Sequence, residues 1–160
     1  MSPSSGKLLV IRMRGEVNAS RDELETLKLL HLHRNFHATI LTDNAAMRGM
    51  LQKVKDYVTW GEISEQAVEQ LLAKRGRMEG GRRLTEKLAK EVLRFESIRD
   101  LAKHLIASDK PIASYAPLKP IFRLHPPKGG FKGSTKKSIK EFGELGYRGN
   151  DIGALLSKMV

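Results

Sequence analysis

The stretch KLLVIRM, residues 7–13, is short, apolar and rich in β-forming side chains, and it reads as a strand. Two more such runs follow, ATILT at 38–42 and YVTWGEI at 57–63, the last expected to be broken at Gly61. Between the first two, Ser20 and Glu23 stand at capping-box spacing, where a hydroxyl and a carboxylate satisfy free amides at a helix start. Leu24, Leu27 and Leu30 continue at helical spacing, so the pattern predicts a helix over about 21–34. Asp43 or Asn44 can cap a second helix with Met47, Met50, Leu51 and Val54 on its buried face. The order is β-α-β-α-β. It predicts a two-layer sandwich over residues 1–63, with both helices on one sheet face.

Residues 64–110 read as a helical addition. Ser64 starts a helix carrying Val68, Leu71 and Leu72, and Gly76 ends it. Leu84, Leu88 and Val92 share one face of another helix, and Ser97 with Asp100 opens a third. From 111 to 160 the pattern changes. Pro111, Pro117, Pro120, Pro126 and Pro127 oppose a helix, and Gly129, Gly130 and Gly133 remove side chains that a core would need. The run at 126–137 is expected to be disordered or loosely extended on its own, with a short helix at about 150–159 pinning the end through Leu155 and Leu156.

Charge points to the kind of partner. The chain has 160 residues and a net charge of +11. Residues 1–62 carry 9 basic and 7 acidic side chains, residues 63–116 carry 11 and 8, and residues 117–150 carry 8 and 2. An excess concentrated where folding capacity is least predicts a polyanionic partner, nucleic acid before an anionic membrane. With no Cys, thiolate metal sites and cysteine nucleophiles are excluded. No apolar run approaches the roughly 20 residues that span a bilayer, and the start lacks a signal-like stretch, so a cytoplasmic protein without a membrane partner is expected.

Four groups of residues are candidates for RNA contact. In the tail, Lys128, Lys132, Lys136, Lys137 and Arg148 alternate with Phe131 and Tyr147 along a flexible backbone that could follow phosphates and stack on bases. Arg75, Arg77, Arg82 and Arg83 cluster around glycines. Arg12 and Arg14 share one face of the first strand, expected to be the face that helices leave open, and Arg34 with Asn35 would extend that surface. Trp60 is a core residue by default and a stacking platform if exposed. Each group also reads as ordinary solvated charge.

Other chemistry is poorly supplied. His31 and His33 do not share a helix face, and no carboxylate cluster joins them and His37, so no metal is expected. The GSTKK at 133–137 fails as a phosphate-binding loop because position 128 is Lys and Gly133 is followed by Ser134. No nucleophile is paired with a base, so neither an enzyme nor a small-molecule substrate is expected. Residues 84–107 could form half of a helix-turn-helix, which keeps a DNA-binding regulator as the alternative.

The segments LLVIRMRG, LHRNFHATILTDN and MLQKVKDYVTWGEI resemble the universal large-subunit ribosomal protein L-thirty family, whose eukaryotic counterpart is called L-seven. LKPIFRLHPPKGGFKGSTKKS at 118–138 and the closing Gly-Asn-Asp are similar to the family's longer archaeal form. The missing lysine-rich N-terminal extension also favours that form over the eukaryotic one. The resemblance implies an α+β, ferredoxin-like core with a three-stranded antiparallel sheet, a helical addition and an extended basic tail. It implies a structural constituent of the large ribosomal subunit that binds ribosomal RNA, including the neighbourhood of the 5S RNA, among other large-subunit proteins. No cofactor is implied. Its RNA-facing positions here would be Arg12, Arg14, Arg34, Arg48 and Trp60, with Lys128, Gly129, Gly130 and Lys132 in the tail.

Overall fold

β1 (Lys7–Arg12) lies inside a six-stranded mixed sheet and is buried at all six positions. The computed structural model describes residues 6–160 apart from 18, 109, 116, 117 and 132. β2 (His37–Thr42) and β3 (Val58–Glu62) flank β1, both antiparallel to it, with Leu9 opposite Ile40 and Val10 opposite Trp60. These are the three strands expected from the apolar runs. Three more come from the tail: β4 (Phe122–Arg123), β5 (Ser134–Ser138) and β6 (Gly143–Tyr147), giving the order β4-β2-β1-β3-β6-β5. β4 pairs antiparallel with β2, while β6 runs parallel to β3. The three-stranded antiparallel sheet is therefore only the centre of a larger one. The outer edges of β2 and β3 carry unpaired amides and carbonyls, and tail backbone satisfies them.

The sandwich has three layers, not two. Leu8 and Val10 pack against α1 (Arg21–Leu29) and α2 (Ala45–Lys53) through Leu27, Leu30, Leu51 and Val54. Leu9, Ile11 and Met13 face the other way, onto α3 (Glu65–Arg75), α5 (Ile98–Ala107) and α6 (Ile152–Met159). An unbroken Leu-Leu-Val-Ile run suits a strand buried on both faces, where alternation would expose half of it to water.

Local signals set most boundaries. Ser20 and Glu23 form both bonds of the capping box at 3.2 Å. α1 stops at Leu29, short of the expected residue 34, because His31 adopts φ 63° and Leu32 N–H bonds back to Leu27 C=O. That is a Schellman ending with histidine in the place glycine usually takes. Asn44 caps α2 by accepting from Met47 N–H, Ser64 caps α3, and Ser97 caps α5. α4 (Glu86–Glu91) is one and a half turns long, so Leu84 precedes it and Val92 is left exposed. α6 buries Leu155 and Leu156 as its spacing predicts.

β3 passes through Gly61 unbroken. A Cβ there would lie 2.0 Å from Gly149 C=O, so glycine serves the close approach of the loop after β6. The tail residues around 126–137 are also better placed than their composition alone predicts. Lys128 N–H bonds Lys158 C=O, Gly129 and Gly130 turn the chain at φ 81° and 76°, and Phe131 packs on Phe36. The folded chain supplies the apolar partners and sheet edges that this segment lacks.

Candidate nucleic-acid interface

A groove of about 710 Å³ opens where the three chain segments meet. Arg34 and His33 come from the loop before β2, and His37 is the first residue of β2. Arg123 stands opposite His37 in the β2–β4 pair. Arg75 ends α3, and Arg77 follows the tight Gly76 corner, where a Cβ would meet Leu72 C=O at 2.4 Å. Lys119 N–H bonds Arg77 C=O at 2.9 Å, holding the returning tail beside the helical addition. Five permanent cations thus line one concavity with two histidines and, among the described residues, no carboxylate.

None of the five has a side-chain ion pair or hydrogen bond to another described residue. Their charges repel one another. The effect reaches His37, whose pKa is lowered by burial first and then by Arg123, His33 and Arg34. Its Nδ1 is buried without a hydrogen-bond partner among the described residues. A row of phosphates would relieve the repulsion and release the condensed counterions of the nucleic acid. Guanidinium forks suit phosphate oxygens in pairs.

The structure sorts the sequence candidates sharply. Arg34, Arg75 and Arg77 come together in the groove; Asn35 is exposed beside Arg34, and Arg82 and Arg83 are exposed on the neighbouring turn. Lys128, Gly129 and Gly130 form an exposed turn, and Lys136 and Lys137 are exposed on β5. Lys132 lies outside the described residues.

Several expectations are corrected. Arg12 is only 2% exposed, and it lies on the α1–α2 side of the sheet, where its guanidinium donates to Arg14 C=O and Leu32 C=O. It and Arg14 do share a side, but a covered one, and Arg14 sits over the Tyr57 ring. Trp60 is 6% exposed, packed in the α1–α2 core and against Tyr147, so it offers no free ring face. Arg148 is engaged internally with Glu144 at 2.8 Å and Thr59 Oγ1 at 2.8 Å. Phe131 is half-buried on Phe36. Arg48 is exposed but clamped by both oxygens of Asp43.

Sequence reasoning missed Lys119, Arg123 and the histidines as groove residues. Their cue was faint: isolated cations in a proline-rich segment, with nothing local to show that the segment returns to β2. The helix-turn-helix alternative fares worse. Its first helix has six residues, and α5 commits Ile98, Leu101, Ala102 and Leu105 to the core.

Comparison with known proteins decides the lineage. The family described as ribosomal protein L30p/L7e matches residues 8–58. A large ribosomal subunit protein uL30 from Staphylothermus marinus is 44% identical over 156 residues, covering 94% of this chain and 96% of its own. The chain belongs to the ribosomal protein L30p/L7e family. Proteins of the same name from Thermofilum pendens (42% over 153 residues; 95% and 97% of the two chains) and Archaeoglobus fulgidus (44% over 150 residues; 94% and 97%) agree. The L30p/L7e match to residues 8–58 contains His33, Arg34 and His37, whereas Arg75, Arg77, Lys119 and Arg123 lie beyond it. Among the described residues, no cluster of three or more metal-ligating side chains occurs, and no helix is long and apolar enough to cross a membrane.

Proposed function

We propose that this chain is a structural constituent of the large ribosomal subunit and that the groove lined by Arg34, Arg75, Arg77, Lys119 and Arg123 grips ribosomal RNA phosphates. The observation that carries the site is the convergence of five cations without an acidic partner among the described residues, each from a loop or element end fixed by its neighbours. As a member of the L30p/L7e family the chain has a structural role in the subunit and associates with ribosomal RNA and ribosomal proteins. It is no enzyme.

The folded sheet would dock by shape and place the groove. The exposed turn at Lys128–Gly130 and the lysines of β5 would add outlying phosphate contacts, with Lys132 among them by its place in sequence. The ferredoxin-like β-α-β-α-β arrangement of residues 1–63, with a helical addition over 64–110 and a basic tail over 111–160, is the organisation this reading assumes. A position near the 5S RNA belongs to the same proposal.

Two measurements test it. On a sucrose gradient the protein should migrate quantitatively with the large subunit. Photocrosslinks from a probe at position 123 should fall on large-subunit RNA, with some close to or on the 5S molecule. A pool that runs free or with chromosomal DNA would refute the role, and groove crosslinks made only to proteins would refute the site.

A further inference from the structure

The nine aromatic rings of the chain are, with one exception, accounted for by packing. Phe122 is buried, Phe36 stacks on Phe131, Phe95 packs with His104 and Tyr115, Trp60 meets Tyr147, and Tyr57 lies under Arg14. Phe142 is 92% exposed and has no ring partner among the described residues.

Its backbone makes the choice of residue stranger. Phe142 sits at φ 62° and ψ 29°, the left-handed region, at the pivot between the 3₁₀ turn Ile139–Glu141 and β6. Glycine or asparagine is the economical residue for such a turn, and a bulky side chain there is uncommon. Neither the turn nor the core asks for phenylalanine. A strained backbone position that carries a large exposed ring points to work done outside the fold.

The setting names the partner. β5 and β6 run parallel across a connection of only four residues. They lie so close that a Cβ on Gly143 would be 2.0 Å from Lys137 C=O, and one on Gly133 would be 2.4 Å from Phe142 C=O. The ring therefore projects from a tightly held base. Around it Lys136, Lys137 and Lys140 are exposed, and Lys55 lines the same cleft; the exposed carboxylates there are Glu141 and Asp56, because Glu144 is buried with Arg148. An aromatic ring ringed by lysines suits a nucleobase flanked by its own phosphates better than an apolar protein patch, since aromatic faces stack on any unpaired base while cations track the backbone.

We infer that Phe142 is a base-stacking residue that engages an unpaired nucleobase of the large-subunit RNA, with Lys136, Lys137 and Lys140 on the adjoining phosphates. This rests on the RNA-binding role proposed above and adds a base contact, on the β5–β6 turn, to the phosphate contacts of the groove. Stacking of one base on an aromatic side chain is worth roughly 1–3 kcal/mol, or about 5- to 150-fold in affinity.

The test uses the full chain and transcribed large-subunit ribosomal RNA. Phe142→Gly should bind about 5- to 150-fold more weakly than wild type, with an unchanged salt slope, because stacking releases no counterions. Its melting temperature should equal or exceed that of wild type, since glycine relieves the left-handed strain. Phe142→Trp should keep the affinity, and Phe142→Leu should lose most of it. Chemical probing should show a single-stranded base protected by wild type and Phe142→Trp but not by Phe142→Gly. If Phe142→Gly binds and protects as wild type does, the inference is wrong while the groove reading survives. If it binds naked RNA normally but fails to enter subunits, the ring faces a protein and the inference is equally wrong. If wild type itself shows no salt-dependent RNA binding, the underlying role falls first.

Discussion

Replacing Arg75, Arg77 and Arg123 together by glutamine removes three of the groove's five permanent cations without touching the core. Each cation–phosphate pairing removed should lower the slope of log K against log salt by about 0.7 on single-stranded RNA and about 0.9 on a duplex. Three such pairings give a fall of about 2 to 3 in slope. At about 0.1 M salt that corresponds to roughly 100- to 500-fold weaker binding, and the difference should all but vanish near 1 M. No described residue pairs with these side chains, so stability should change by less than about 0.5 kcal/mol. The assay is fluorescence anisotropy of a labelled ribosomal RNA fragment titrated at several salt concentrations, with thermal melting alongside. A control carrying Arg94, Arg99 and Lys103 as glutamine has the same net charge but loses exposed cations elsewhere. Parallel lines for the triple variant and wild type would refute the groove. So would an equal drop in the control, which would assign the effect to net charge.

Other features give further expectations. Arg148→Leu breaks a pair whose side chains are each 10% exposed and strands Glu144, which also accepts from Gly133 N–H; it should cost about 3–5 kcal/mol in denaturant unfolding and leave the salt slope of the folded protein unchanged. Gly61→Ala, with its Cβ aimed at Gly149 C=O, should cost about 1–3 kcal/mol by overpacking, read as a lower midpoint at equal m-value. Because His37 has a folded pKa below its ordinary 6.5, the unfolded chain binds its proton more readily; this contribution to stability is complete above about pH 6.5 and declines as the pH falls through that value. His37→Gln should therefore lose less melting temperature than wild type between neutral pH and pH 5. Phosphate in the groove favours the charged imidazole, so RNA binding by wild type should take up protons, measurable by calorimetry in buffers of different ionisation enthalpy.

Legibility in the sequence followed the range of the interactions. Strands β1 to β3 and the caps at Ser20, Asn44, Ser64 and Ser97 were readable because the residues that decide them lie within a few positions of one another. The shared side of Arg12 and Arg14 was readable from strand alternation, but which side was not. That depended on α3, α5 and α6 packing onto a face that the first 63 residues leave bare. The groove was hidden for the same reason. His37 meets Arg123 across 86 positions, and Arg77 meets Lys119 across 42; no local pattern encodes such meetings. The tail misled because its prolines and glycines describe what it cannot do alone, whereas its contribution is backbone offered to edges made much earlier.

Those edges have a consequence for synthesis. While the chain is being made, β2 and β3 each keep one unpaired flank until Phe122 and Gly143 have been added. A premature stop before Phe122 leaves both flanks bare, and one between Arg123 and Gly143 leaves the flank of β3 bare, in either case a margin fit for aggregation or proteolysis. A fragment ending before Phe122 also lacks Arg123, and one ending before Lys119 lacks two of the five groove cations. The groove's last cation, Arg123, is thus made before the sheet's last strand, Gly143–Tyr147, and both come late in translation. If the groove grips RNA as proposed, chains truncated before Lys119 should compete poorly with the finished protein for the binding site.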